Sequence, residues 1–271
     1  MKEKILFLFI IELLCSYVAA LPEWRDFPAC NFGRLQSPIE IYENESIYAN
    51  NFSFVYQSYS EGTLNNINNE HIKSFSINGG YINFERGGVI KQYQFERVEI
   101  HQGIHSIDGE SGDYELHLIH KKNLDFITNK NQYRNIQDAS MYLVIVLRYK
   151  EKDKCKKECI SDDGLLDKIK GGDNLNLNEY PVFQDKRAYF YEGSSLYIPC
   201  DENYIYYIVK DFFYSKNTQS LEPTYKIGEI TPQNKYGRPV YKNFMNYKEV
   251  LKSNFMSARI VVSFLLIFLL F

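Results

Sequence analysis

The stretch Glu115-Leu116-His117-Leu118-Ile119-His120 begins by alternating ionisable with aliphatic side chains. A period of two is the signature of a β-strand, so Glu115 and His117 share one face while Leu116 and Leu118 take the other. Val98-Glu99-Ile100-His101 has the same rhythm and puts Glu99 and His101 on one face of a second strand. Run antiparallel, the two strands bring His101 and His117 together beside a carboxylate. Two imidazoles and a carboxylate converging on one point form a candidate metal site. All five histidines fall between positions 71 and 120. Scattered structural histidines account for these residues equally well when nothing else is considered.

The flanking sequence is strand-rich. Tyr81 to Phe84, Gln92 to Ile100, Glu115 to Ile119 and Tyr204 to Val209 mix β-branched and aromatic residues in short runs. Met141 to Leu147 is continuously apolar, as a strand buried on both faces is. Asn78-Gly79-Gly80, Gly87-Gly88 and Asp108-Gly109 mark turns between runs. Asp162 to Ile169 is expected to form a short helix, and the Asn-rich stretch 65–69 a loop. The 23 tyrosines and 19 phenylalanines favour β structure further. No repeat or linker divides the chain, so the expectation is a single, mainly β domain with a few short helices. Hydrophobic residues make up 45% and charged residues 24% of the 271 positions, which fits a globular domain. A net charge of −3 supplies no basic field and argues against nucleic acid as a partner.

Both ends carry targeting features. Lys2 and Lys4 precede the apolar run Ile5 to Ile11, extended by Leu13 and Leu14, and Val18-Ala19-Ala20 offers small residues for cleavage. Residues 1–20 therefore read as a signal peptide, although Glu12 interrupts the run and an uncleaved membrane helix is the alternative. Ile260 to Phe271 is a nearly unbroken apolar tail. At about 1.5 Å per residue it falls well short of a hydrocarbon core of ~30 Å. With small and polar residues around Ser253 and Asn254, residues 251–271 have the layout of a GPI-attachment signal, a short tail anchor or core helix being the alternative. Residues 21–250 are then the folded domain, in the secretory pathway and at the outer face of the plasma membrane, held there by a lipid anchor or tail. Cys15 lies in the signal segment, which leaves Cys30, Cys155, Cys159 and Cys200, an even number suited to an oxidising compartment. Asn44-Glu45-Ser46 and Asn51-Phe52-Ser53 are glycosylation sequons.

Longer motifs add a resemblance. Trp24-Arg25-Asp26-Phe27-Pro28 followed by Cys30 to Ile41 (CNFGRLQSPIEI) resembles the opening of the α-carbonic anhydrases. Ile104-His105-Ser106-Ile107-Asp108-Gly109 is similar to that family's S-E-H-T-I-D-G, and Glu115 to His120 matches its E-L-H-L-V-H. Glu192-Gly193-Ser194 with Pro199-Cys200 resembles E-G-S-L-T-T-P-P-C, and Gln233, Arg238 and Val240 resemble the closing Q-x-x-x-x-R-x-V. The resemblance implies a central twisted, mostly antiparallel sheet of about ten strands with zinc on its floor. It also implies a Cys30–Cys200 disulfide, which leaves Cys155 and Cys159 as a possible local pair in a Lys-rich insertion.

The resemblance fails at the chemistry. Active members hold zinc with three histidines, two from F-H-F-H-W-G, and here that segment is Val98-Glu99-Ile100-His101-Gln102-Gly103. His101 and His117 match two ligands while Glu99 replaces the third. Two His and one Glu can still hold zinc, but an anionic ligand weakens acidification of the bound water. The family's hydroxide-orienting Thr and its Glu partner are replaced by Tyr197 and Ile104, with Leu196 at the neighbouring Thr. The family's Gln before F-H-F-H is Arg97, which shares a strand face with Glu99 and is expected to pair with it, supplying the positive charge of the metal. His71 falls at the proton-shuttle position but reads equally as a surface histidine. Two functions follow: an inactive surface module recognising an extracellular protein or glycan, or a weak zinc-dependent carbonate dehydratase with a His/His/Glu site. Lys150 to Lys157 (KEKDKCKK) is a possible polyanion contact, though a solvated loop reads more simply.

Overall fold

The structure is a computed structural model. It describes residues 28–50, 52–59, 62–63, 65–69, 72–76, 79–124, 140–155, 159–171, 174–180, 186–197, 199–215, 232–233 and 235–246. The helices are α1 (Pro28–Phe32) and α2 (Leu165–Gly171). The first ten strands are β1 (Glu40–Ile41), β2 (Ile47–Tyr48), β3 (Phe52–Ser58), β4 (Gly62–Thr63), β5 (Asn65–Asn69), β6 (Ile72–Ser76), β7 (Tyr81–Arg86), β8 (Val89–Gln102), β9 (Ser106–Ile107) and β10 (Glu110–Ser111). Next come β11 (Tyr114–Lys122), β12 (Tyr142–Tyr149), β13 (Ile160–Ser161), β14 (Asn174–Leu175), β15 (Ala188–Gly193), β16 (Tyr204–Tyr214) and β17 (Tyr241–Lys242).

Twelve strands form one sheet, ordered β2-β17-β15-β16-β12-β11-β8-β6-β5, with β7 joining β8 to β3 and β13 pairing with β16. Only the β12–β16, β13–β16 and β17–β2 pairings in it are parallel. The mostly antiparallel β domain expected from the sequence is what forms, with twelve strands where about ten were implied.

The two faces of this sheet bury different cores. Leu116, Leu118, Val98, Ile100, Leu143 and Ile145 point into the larger cluster, which α2 covers with Leu165, Leu166 and Ile169. Ile119, Val144, Val146, Tyr191, Tyr206 and Ile208 point the other way, onto Ile39, Ile41 and Val240. β12 is apolar on both sides because both its faces are covered, which is why its sequence does not alternate.

Three local expectations need comment. Gly87 and Gly88 have φ of 60° and 79°, the paired positive values that let a two-residue turn follow the twist of β7 and β8. The stretch 65–69 is strand β5 and not a loop, paired residue for residue with β6. A ladder uses backbone groups, so neighbouring chain overrides the weak strand preference of asparagine. The helix expected from Asp162 begins at Leu165, because Asp162 caps it by accepting from the amides of Gly164 and Leu166.

Candidate functional site

The site lies on the sheet face that carries the smaller core, where β8 and β11 run antiparallel. Their register sets His117 opposite Glu99 and Glu115 opposite His101. The His101 and His117 rings lie diagonally, with centroids 4.3 Å apart. The strand pairing expected from the alternation thus brings both histidines and Glu99 together. Glu99, His101, Glu115 and His117 are all buried.

Glu115 anchors one half. Its Oε1 accepts from the backbone amides of Ile104 (3.1 Å) and His105 (2.7 Å). Its Oε2 accepts from His105 Nδ1 (2.7 Å) and His117 Nε2 (2.9 Å). Burial favours the neutral acid, but the hydrogen-bond donors gathered on it, His105 foremost and then His117, outweigh this and hold the carboxyl far below its ordinary range. A carboxylate only accepts, so both imidazoles donate to it. His105 Nε2 then takes the Tyr191 hydroxyl at 2.9 Å. Gly103 makes the approach possible: a Cβ there would lie 1.9 Å from the Gly112 carbonyl oxygen. His117, donating from Nε2, keeps its lone pair on Nδ1. Burial first, then repulsion from His101, lower its pKa to about 4 against the pull of Glu115, so the ring is neutral at physiological pH.

Glu99 anchors the other half. Arg97 Nε donates to its Oε1 at 2.6 Å, His101 Nε2 lies 3.0 Å from Oε2, and the Tyr197 hydroxyl donates to Oε2 at 3.4 Å. Arg97 Nη1 also donates to Glu96 at 2.8 Å. Burial opposes the ionised form of Glu99, yet His101 and Arg97 hold its pKa down at about 2. The expected Arg97–Glu99 pair is therefore present. Burial lowers the Arg97 pKa, but Glu99 more than reverses this and leaves the guanidinium charged.

Among the described residues, two groups of three ionisable side chains have ligand atoms within 4.8 Å of one another: Glu99, His101 and His117, and His105, Glu115 and His117. The second is held together by hydrogen bonds that converge on Glu115. The first is the set expected from the sequence, and two imidazoles with a carboxylate suit zinc in type and spacing. Its surroundings suit zinc less well. His101 Nδ1 is buried without a hydrogen-bond partner among the described residues, whereas a metal-bound imidazole ordinarily donates its second nitrogen to an acceptor.

Ile104 contributes only its amide to this network. Tyr197 comes from the segment that ends at Cys200, whose amide donates to the Tyr197 carbonyl at 2.7 Å. Cys30 and Cys200 are disulfide-bonded, as are Cys155 and Cys159. In the Lys-rich segment, Lys150 pairs with Glu110, and Lys154 with Asp113 and Glu151. Asn44 is exposed on a short turn before β2. His71, Asn51 and residues 1–20 and 251–271 lie outside the described residues. Among the described residues no helix is long and apolar enough to cross a membrane.

Sequence reading missed Tyr191 and Ser37, which extend the Glu115 network: the Tyr191 hydroxyl, its proton given to His105, lies 3.3 Å from Ser37 Oγ, and Ser37 Oγ accepts from the Ser194 amide at 3.1 Å. Period two in β15 puts Tyr191 on the face of Tyr189, but only the sheet order delivers it to His105.

Comparison with known proteins agrees with this geometry. Residues 20–250 match the eukaryotic-type carbonic anhydrase family. Carbonic anhydrase of Nostoc sp. is 23% identical over 223 residues, covering 79% of this chain and 75% of that protein. Alpha carbonic anhydrase 8 of Arabidopsis thaliana is 25% identical over 193 residues, 70% of this chain, and the match spans 46% of the plant protein's length. The crystal structure of dioscorin complexed with ascorbate shares the fold, with a TM-score of 0.62 at 19% identity over 84% of this chain and 92% of that one. With a family match across most of its length, this chain belongs to the eukaryotic-type carbonic anhydrase family.

Proposed function

We propose that this protein is a non-catalytic member of its family, a recognition domain displayed outside the cell that binds an extracellular protein or glycan. The observation that carries the reading is the state of Glu99. Its carboxylate is saturated by Arg97, His101 and Tyr197, so the cluster is charge-balanced as it stands. Two disulfides fit an extracellular or secretory-pathway setting. The signal-like N-terminus and the GPI-like tail support display on the plasma membrane.

The surroundings of the cluster point the same way. Hydration of CO₂ needs a water acidified by the metal and a fixed acceptor for its proton. Ile104 has no side-chain acceptor, and Tyr197 spends its hydroxyl on Glu99. Losing such supporting hydrogen bonds typically costs 10- to 100-fold in activity or metal affinity.

One observation favours a second reading. Glu99, His101 and His117 would hold zinc between them, and the ion would supply a Lewis acid and an acidified water. The reading is then a weak carbonate dehydratase, in which Glu99 lowers the charge available for acidification. Stopped-flow CO₂ hydration by the purified secreted protein, with and without added zinc, decides between them. We expect a rate indistinguishable from buffer in both conditions, and rapid zinc-dependent hydration would overturn the proposal.

A further inference from the structure

We propose that Arg97 is the residue that keeps divalent metal out of the Glu99–His101–His117 pocket, a built-in cation occupying the electrostatic place of the ion. The inference deepens the non-catalytic reading and rests on its view that the cluster balances its own charge. It concerns metal affinity and not turnover.

The geometry makes Arg97 a resident of the site. Alternation along β8 sets Arg97, Glu99 and His101 on one face. The guanidinium is fixed at two points, through Nε to Glu99 Oε1 at 2.6 Å and through Nη1 to Glu96 Oε1 at 2.8 Å. Swinging out would strand Glu99, which is only 2% exposed, without its counter-charge. Tyr204 lies close enough to interact with it and the side chain is only 20% exposed, so bulk water screens the charge poorly.

The three donors to Glu99 differ in what they can give up. An entering ion can displace the proton of His101 Nε2, as metals do whenever imidazole ligates them. It can displace the Tyr197 hydroxyl as a neutral donor. Arg97 cannot lose its proton in a protein and keeps its full charge. A dication held by Glu99 with His101 and His117 would share one carboxylate with the guanidinium, close enough for repulsion to weigh heavily in a buried site. Glu96 faces the same guanidinium at 2.8 Å, from the irregularity in the β8–β11 pairing, and offsets part of this, but its side chain is 37% exposed and solvent screens it more than the buried pair.

Without Arg97 the same three donors carry a net charge of −1 and attract a cation. With it they are neutral and guarded. The arginine therefore decides metal affinity while all three donor groups stay in place.

The test is zinc affinity of the full secreted chain, measured by competition with a chromophoric chelator after metal removal. Visible d–d bands of added cobalt(II) serve as a second readout of tetrahedral coordination. Arg97→Gln keeps a hydrogen-bond donor of similar reach and removes the charge. It is expected to bind zinc at least about 100-fold more tightly than the native chain and to gain the cobalt bands. Arg97→Lys keeps the charge and is expected to stay at the native level. Equal affinity in native and Arg97→Gln chains would overturn the proposal, as would native protein that retains stoichiometric zinc through dialysis.

If Arg97→Gln alone does not fold, the pair Glu99→His and Arg97→Gln/Glu99→His removes the uncompensated carboxylate. The double variant should bind zinc about 100-fold more tightly than Glu99→His, which keeps the guanidinium beside three imidazoles. No difference between the two again overturns the role of Arg97. A variant that gains zinc without CO₂ hydration supports this inference and the non-catalytic reading together. One that gains both keeps this inference and removes the reading that Ile104 and Tyr197 abolish turnover.

Discussion

Arg97 and Glu99 lie two residues apart on one strand, and the guanidinium Nε donates to the buried carboxylate at 2.6 Å. The pair sets two opposite charges against each other in a buried place, so a change at either one alone is costly. Substituting Arg97 by Ala leaves Glu99 buried beside only His101 and Tyr197. The expected loss of stability is about 3–5 kcal/mol, and the Glu99 pKa should climb from about 2 toward or above the usual carboxylate range. Urea unfolding of the variant at neutral and acidic pH checks both: the deficit should shrink at low pH, where the carboxyl is protonated.

Glu115 should be the costlier residue to alter. It accepts four hydrogen bonds and is fully buried. Glu115→Gln turns one acceptor atom into a donor facing two imidazole N–H groups. A destabilisation of about 3–5 kcal/mol is expected, with a shift in the His105 and His117 ring resonances measured by NMR. A loss below about 1 kcal/mol would contradict the network drawn here.

Acid should weaken the fold before the carboxylates titrate. His120 is buried, accepts from the Tyr59 hydroxyl at 2.9 Å and is held at a pKa of about 3, against an ordinary 6.5, chiefly by burial. Between those values the unfolded chain takes up a proton that the native chain refuses, so stability falls as pH drops from 6.5 toward 3. His117, held at about 4, acts in the same direction. Each contributes a slope of at most ~1.4 kcal/mol per pH unit. His120→Gln should flatten the fall in unfolding midpoint between pH 6 and pH 4, read as roughly one proton less taken up on unfolding. An unchanged slope would remove His120 from the account.

The two disulfides should differ in consequence. Cys30–Cys200 closes a separation of 170 residues and Cys155–Cys159 one of 4. Chain entropy makes the long closure worth more, on the order of 5 kcal/mol. Cys30→Ser/Cys200→Ser should lower the thermal midpoint far more than Cys155→Ser/Cys159→Ser. It should also free the Tyr197 segment, detected as faster exchange of the backbone amide at position 200, which donates to the Tyr197 carbonyl.

Mass spectrometry of protein secreted from a eukaryotic host should find a glycan on Asn44, which is exposed on its turn. Asn44→Gln should remove that mass without changing the unfolding midpoint.

Much of the site was legible because it is written in local alternation. Glu99 and His101, Glu115 and His117, and the Arg97–Glu99 pair all follow from period two along single strands. The finer register was not: His117 faces Glu99 and not His101, a two-residue difference in register that keeps the same face and that only strand pairing decides. Tyr191 reaches His105 across 86 positions of sequence, through the order of strands in the sheet. The Asn-rich strand β5 was obscured for a different reason, since its side chains argue for a loop while its backbone is recruited by β6. The extent of β16 to Tyr214 was hidden by a register shift near Arg148, past which its pairing with β12 resumes.

The web around Glu115 has an evolutionary corollary. A surface residue can drift one step at a time, but every single step inside this web strands a buried charge or an orphan donor. Sequence change is therefore channelled toward the opposite half of the cluster, where Glu99, Arg97 and Tyr197 compensate one another. A family can therefore vary its chemistry and keep the same strand floor, because folding itself selects for these struts.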